Sequence, residues 1–357
     1  MTAPAAALVL TPKAHGADGI SAVTRLTARS LERAGITARV LTLAVETRRD
    51  LADGEMTTPL ESADGRRMRF VLKGLKAAAN EPDVVIATHL RMLPAAVPLM
   101  ARGVPVVTFL LGIECWRPLT LRDRRLVATS RLLLPISRWT RERFLEANPS
   151  FADTPMSLCP PGINADGGGV AGTVHGRVVV VGRLWSEERY KGHDLLIDVW
   201  PAVRQACPAA SLVMVGDGDD RRRLEKRVRD AGLAAAIQFT GIVSQAELRT
   251  HLATAQVFVL PSAGEGFGIV FLEAMRAARP CIAARGAAEE VVTDGVTGRI
   301  VPVGDRHALA AALIELLSDP ARCDAFGRAG RMRFEAEFTE ARFAERFIPA
   351  VREACAC

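Results

Sequence analysis

The sequence predicts an α/β protein of two doubly wound, Rossmann-like domains facing across a cleft. Three observations carry this. Apolar runs of strand length recur along the chain and are continuous rather than alternating, which marks strands buried on both faces, hence parallel sheets covered by helices. Segments of helical spacing separate these runs. Pro and Gly crowd the stretch between Asn148 and Gly169 and split the 357 residues into two such series. At roughly 150 residues per domain, that length also implies about two domains.

In the first series, Ala5–Leu10 reads as a buried strand, closed by the loop His15-Gly16-Ala17-Asp18-Gly19. Ser21–Ala34 has helical spacing through Ala22, Leu26 and Leu31, and Gly35 ends it. Ala38–Leu43, Asp83–Ala87, Val104–Leu110 and Arg131–Ile136 read as strands, and Thr140–Ala147 as a short helix. Asn148-Pro149, Thr154-Pro155, Pro160-Pro161-Gly162 and Gly167-Gly168-Gly169 form the linker.

In the second series, the strands are Arg177–Val181, Ser211–Val215, Ile237–Thr240, Val257–Leu260 and Cys281–Ala284. The helices are Asp194–Gln205 with Asp194 as N-cap, Arg221–Ala231, Gln245–Thr254 and Gly268–Ala278, and the tail Pro320–Cys357 is helical in composition. The domains are placed at 1–165 and 170–337, with 338–357 returning to the first.

Composition narrows the function. Apolar residues are 49% and charged residues 24%, which excludes wholesale disorder. Aromatic content of 5%, with a single tyrosine, argues against a stacking surface for single-stranded nucleic acid. Seven cysteines include no CxxC pair, so no zinc ribbon or thioredoxin-like site is indicated, and scattered single cysteines suit a reducing compartment. The apolar start lacks a preceding basic region and reads as a strand rather than a leader. The apolar stretch Val104–Ile113 is about half the length of a spanning helix. The chain is expected to be cytoplasmic, with the inner membrane face as the surface its basic part would meet.

The net charge of +6 is uneven. Residues 1–165 hold 22 Lys and Arg against 15 Asp and Glu, and the remainder holds 24 against 25. Between Cys115 and Arg143, eight arginines face only Asp123 and Glu142. Such a patch points to an anionic partner, the alternative being a solvated helix face.

The chemistry concentrates in Pro261-Ser262-Ala263-Gly264-Glu265-Gly266-Phe267-Gly268-Ile269, where a strand enters a glycine loop that opens a helix. Free N–H groups at such a helix start can hold a phosphate or a sugar hydroxyl, and glycines let the backbone approach the ligand. Glu265 in the loop and Glu273 within the helix are placed to face one cavity at different depths. An acid on so apolar a helix is expected to have a partner. Gly182-Arg183-Leu184 and Tyr190-Lys191-Gly192-His193 put two cations at a strand end, where open α/β sheets bind ligands, and together these can neutralise a diphosphate. Val215-Gly216-Asp217-Gly218 is a further strand-end glycine turn, weak by itself. His15 in the glycine loop and His89 at a strand end are candidates to line the cleft, a structural, hydrogen-bonded histidine being an equally good reading of either.

In this order, the motifs GRL, YKGHDLLI, LVMVGDGDDRRRLE, FTGIVS, VFVLPSAGEGFGIVFLEAM and EVVTDGVTGRIV resemble the donor domain of the retaining nucleotide-sugar glycosyltransferases of family 4, which have the GT-B fold. The likeness spans about residues 178–303, and Glu265 with Glu273 matches the E-x7-E signature. The first half is similar more loosely, through Gly16–Ser21, His89, Gly112-Ile113-Glu114, Ser137 and Pro161-Gly162-Ile163.

The resemblance implies that Arg183 and Lys191 hold the donor diphosphate and that Glu265, with the backbone of Gly266, Phe267 and Gly268, contacts the donor sugar. It further implies that Glu273 holds the ribose, that Ile242 and Val243 pack the base, and that Gly19 closes over the diphosphate. His15, His89 and Glu114 are acceptor-side candidates. Cofactors are expected to be none and metal none, because cations and helix ends stabilise the leaving diphosphate.

The sequence departs from the family at Leu111, where a histidine is common, and at Arg285-Gly286-Ala287-Ala288-Glu289-Glu290, where paired glycines are common. The reading is a retaining hexosyltransferase that takes GDP-mannose or a UDP-hexose to a lipid-linked saccharide in polysaccharide or glycolipid assembly. Partners are the nucleotide sugar, the lipid-linked acceptor and an anionic membrane surface, with no nucleic acid. The alternatives are a soluble small-molecule acceptor and a non-catalytic nucleotide-sugar-binding protein.

Overall fold

The computed structural model describes residues 4–16, 18–45, 58–166 and 172–356, so the glycine run at 167–169 lies outside the described residues. The chain divides into two units: Met1–Gly162 with Glu340–Cys357, and Ile163–Thr339.

In the first unit, six parallel strands are ordered β3-β2-β1-β4-β5-β6: β1 (Ala6–Thr11), β2 (Thr37–Thr42), β3 (Leu60–Ser62), β4 (Val84–Ala87), β5 (Val106–Leu110) and β6 (Leu132–Pro135). Its helices are α1 (Gly19–Arg33), α2 (Arg67–Ala77), α3 (Val97–Met100), α4 (Leu121–Val127) and α5 (Arg138–Ala147). In the second unit the order is β12-β11-β10-β7-β8-β9: β7 (Arg177–Val181), β8 (Ser211–Val215), β9 (Ile237–Gly241), β10 (Val257–Leu260), β11 (Cys281–Ala284) and β12 (Gly298–Val301). The helices there are α6 (His193–Ala206), α7 (Arg221–Asp230), α8 (Gln245–Thr254), α9 (Ile269–Arg276), α10 (Arg306–Ser318) and α11 (Pro320–Glu337). The last helix, α12 (Glu340–Ala356), belongs to the first unit.

Within each unit the order is the doubly wound one, in which the first and fourth strands are neighbours and the winding reverses between them. The apolar runs predict this because β4, β5, β6, β10 and β11 are buried at every position, which only a sheet covered on both faces allows. Helix α12 docks through three stacked rings, with Phe343 and Phe347 at 6.5 and 5.9 Å from Phe109. The buried Glu340 binds Arg29 and Arg33 of α1 at 2.6 and 3.0 Å. Burying each ring contributes about 2–3 kcal/mol.

The structure corrects several expectations. Gly192, in the left-handed conformation at φ 82°, is the N-cap of α6, and Asp194 lies in its first turn, bound to Arg223 and Arg227. Helix α9 is shorter than Gly268–Ala278, because Gly268 at φ 88° is its cap and Ala278 has already turned to φ 55°. Strands β3 and β12 and helices α2, α3, α4 and α10 were not anticipated as elements.

Candidate functional site

The site residues of the second unit gather where β7 and β10 end, at the point of reversed winding, because parallel strands put their following loops on one edge. Backbone bonds tie these loops together. The Ala263 amide donates to Tyr190 O (2.9 Å), Leu184 to Asp217 O (2.9 Å) and Gly216 to Gly241 O (3.1 Å). Glycine is required where they meet: a Cβ on Gly216 would stand 2.0 Å from Gly182 O, one on Gly218 2.2 Å from Leu184 O, and one on Gly192 2.7 Å from Pro261 O. The turn after β8, weak as an isolated motif, thus braces the segment that bears the two cations. Asp219 accepts from the Ser186 amide and hydroxyl, and Asp220 binds Arg189 at 3.0 Å. Arg223, with Arg189, holds the Asp220 carboxyl down at about 2.

Lys191 Nζ lies 2.9 Å from Glu265 Oε1, with only 13% and 17% of the two side chains exposed. The two residues implied to hold opposite ends of a donor are therefore partners of each other. Arg183 is likewise engaged: its guanidinium grips Glu188, with Nε to Oε2 at 3.0 Å, and stacks 5.2 Å over the Trp185 ring. Glu188 and Trp185 escaped the sequence reading. The only signal was an acid five residues beyond Arg183.

Gly268 leaves the start of α9 without a side-chain cap. Apart from that of Phe271, which donates to Gly268 O at 2.9 Å, its first-turn amides are thus open to an anion. Glu273, one turn on, is partly buried and forms no ion pair or hydrogen bond among the described residues, so the expected partner is missing. Burial pushes its carboxyl up to about 7, with Arg276 and Arg249 opposing. His193, whose ring lies beside Gly182, is buried, its Nε2 without a hydrogen-bond partner among the described residues. Burial and then the Lys191 charge push its imidazole down to about 4, so it stays neutral. Ile242 is 86% exposed and Val243 half-buried just past Gly241, offering apolar surface on the same edge. Phe267 is buried, edge-on to Phe338 at 5.7 Å. A cavity of about 700 Å³ lies beside these residues, lined by Gly192, Asp194, Pro261, Ala263 and Arg306 among others, and contains none of Arg183, Lys191, Glu265 or Glu273.

In the first unit, His15 and His89 follow β1 and β4, the equivalent strand pair. His15 is buried, with the Ser21 hydroxyl donating to its carbonyl at 3.2 Å. His89 Nδ1 accepts from the Arg91 amide at 3.1 Å and caps a 3-10 turn, and burial lowers its pKa while Glu114 works in the opposite direction. Glu114 Oε1 accepts from the amides of Leu111 and Gly112 at 2.8 and 3.1 Å. Gly19 opens α1, which Asp18 caps. His89 and Glu114 therefore hold their own loops.

Among the described residues no three His, Cys, Asp or Glu side chains are grouped as a metal site needs, and no helix is long and apolar enough to cross a membrane.

Comparison with known proteins bears on this geometry. Residues 175–319 match the sequence model of the family described as Glycosyl transferases group 1. A GDP-mannose-dependent alpha-(1-6)-phosphatidylinositol monomannoside mannosyltransferase of Mycolicibacterium smegmatis is 36% identical over 229 residues, covering 58% of either chain. An alpha-maltose-1-phosphate synthase of Mycobacterium tuberculosis is 35% identical over 191 residues, covering 50% of this chain and 48% of that one. The chain thus aligns with about half the length of these curated relatives. The crystal structure of Anabaena HepE in complex with UDP-glucose superposes with a TM-score of 0.80 at 20% identity, covering 95% of this chain and 97% of that one. Residues 175–319 therefore resemble the Glycosyl transferases group 1 family, and the fold is GT-B.

Proposed function

We propose that the protein is a retaining hexosyltransferase that moves a hexose from a nucleoside diphosphate sugar, GDP-mannose foremost, to a hydroxyl of a lipid-linked acceptor. The observation that carries the proposal is the largely buried Lys191–Glu265 pair beside a helix start with no side-chain cap. A diphosphate entering there gains a cation already drawn out of water, which strengthens its charge interaction. Glu265 is then released to hydrogen-bond the sugar. Arg183 leaves Glu188 for the second phosphate, in the forked geometry that guanidinium offers. An ionised Glu273 accepts from both ribose hydroxyls, and Ile242 and Val243 pack the base. The mannosyltransferase relative supports GDP-mannose and a phosphatidylinositol-based acceptor.

In the reaction, the bond between the anomeric carbon and the phosphate oxygen breaks while the acceptor oxygen attacks from the same face. The acceptor proton passes to the departing phosphate oxygen. Lys191, Arg183 and the α9 amides hold the negative charge that develops on that diphosphate, and no metal enters this reading. Removing one such donor costs about 100- to 1000-fold in rate.

A panel of GDP-, UDP- and ADP-sugars, offered with membrane lipid extracts and followed by product NMR, tests the proposal. Hexosyl transfer with the donor's anomeric configuration kept is expected. Nucleotide-sugar binding with neither transfer nor slow donor hydrolysis, in the wild type and in Leu111→His, would overturn it in favour of a binding protein.

A further inference from the structure

We infer that the cavity between the starts of α6 and α10 is a second binding site, for a small uncharged saccharide, and that its occupancy is felt at the donor site. All its walls belong to the second unit: the 3-10 segment Ser186–Lys191, the start of α6, the loop after β10 and the loop that joins β12 to α10. Its volume of about 700 Å³ lies within the roughly 300–1,000 Å³ usual for small-molecule sites.

The charges select the ligand class. Every guanidinium and carboxylate of the walls is already engaged. Asp194 is held by Arg223 at 2.7 Å, Asp198 by Arg306 at 2.8 Å and Arg189 by Asp220 at 3.0 Å, while Asp305 accepts from the Ala308 amide at 2.9 Å. A phosphate or a metal ion would have to open these pairs to find a countercharge. The pairs leave hydrogen-bonding capacity over. Arg189 donates through Nε and Nη2, and Arg306 through Nη2, so Nη1 of each has no partner among the described residues. Each carboxylate oxygen of Asp198 accepts from a single guanidinium and keeps a lone pair. Donors and acceptors fixed side by side match the vicinal hydroxyls of a sugar, each of which both donates and accepts. The Tyr190 ring, with Pro261, Leu195 and Val303, gives the apolar surface that the C–H face of a pyranose needs.

Tyr190 also joins the cavity to the donor site. Its carbonyl accepts from the Ala263 amide at 2.9 Å, and its ring lies 5.6 Å from Lys191 Nζ. Burial, and then the charges of Glu188 and Glu265, raise its phenol to about 12. Those two acids are the partners of Arg183 and Lys191. A sugar stacked on Tyr190 therefore acts on both ion pairs that the donor must open. This coupling, though not the site itself, rests on the proposed function.

Saturation-transfer NMR and calorimetry with maltose, mannobiose and glucose phosphate test the inference. At least one disaccharide is expected to bind, more tightly than glucose phosphate, and to stay bound when GDP is saturating. Val303→Trp, which fills part of the cavity, and Arg306→Ala, which removes a half-used guanidinium, should each weaken that binding at least about tenfold. Both variants should keep the wild-type melting temperature and the GDP affinity measured without sugar, since Val303 and Arg306 are exposed. In the wild type the disaccharide should shift GDP affinity at least about fivefold, and in Val303→Trp it should not. Four results overturn the site: no binding of either disaccharide, tighter binding of glucose phosphate, complete displacement of the sugar by GDP, or binding that survives both substitutions. A GDP affinity unmoved by bound sugar overturns the coupling. A chain that binds the disaccharide but no nucleotide would instead sink the transferase reading and leave the site standing.

Discussion

The two units share one strand order, yet their winding-reversal points are built differently. In the second unit the loops after β7, β8, β9 and β10 are laced to one another by backbone bonds through glycines that have no room for a side chain. Two of its cations, Arg183 and Lys191, are held by the carboxylates of Glu188 and Glu265. In the first unit the corresponding residues serve their own loops: Asp18 caps α1, His89 caps a 3-10 turn and Glu114 gathers the amides of Leu111 and Gly112. A site made of backbone geometry leaves a fixed pattern of glycines in the sequence. A site whose side chains support loops leaves only isolated polar residues.

The largest effect we expect tests how the first unit holds together. Phe347→Ala, removing a fully buried ring stacked on Phe109 and Phe343, should cost about 3–5 kcal/mol in urea unfolding, since the cavity cannot close around two rigid rings. Gly216→Ala comes next, at about 3 kcal/mol, because its Cβ meets the Gly182 carbonyl and its φ of 139° is unfavourable. A comparable change in the first unit, Gly16→Ala at φ 134°, meets the flexible end of Lys13 and the Asp18 carboxylate at 3.1 Å, but no backbone, and should cost about 1–2 kcal/mol. Equal costs would erase the contrast between the two units.

Glu273 sharpens the comparison through pH. Its folded-state pKa near 7 stands above its unfolded value, so between about 4.3 and 7 the folded chain keeps a proton that the unfolded chain has lost. Stability therefore falls as pH rises across that window. Glu273→Gln should melt higher than the wild type at pH 8 and about equally at pH 4. Ribose binding calls for the ionised form, so GDP affinity in the wild type should climb toward pH 7 and level off above it. Calorimetry on the Gln variant should give weaker binding with no such climb. The smallest effect belongs to the first unit: Leu111→His should change turnover by less than about tenfold, the worth of one hydrogen bond.

The sheets were legible because burial on both faces leaves continuous apolar runs, and α8, β10 and β11 match the residues read from sequence. Helix α2 was not, because its exposed apolar pole and its two small contacts with the core give no single apolar stripe. Strand β3, three residues at a sheet edge, is too short for any period to show. Within the site, the glycines and the E-x7-E spacing announced the loop. The pairings did not show, since Lys191 meets Glu265 across 74 residues of sequence and Arg183 meets Glu188 through a kinked 3-10 turn.

The central claim is that Lys191 exchanges Glu265 for the donor diphosphate. Single-turnover transfer by Lys191→Ala, measured with saturating donor beside its melting temperature, tests this most directly. The account predicts a rate down about 100- to 1000-fold with the fold intact. A variant that transfers hexose at the wild-type rate would contradict it.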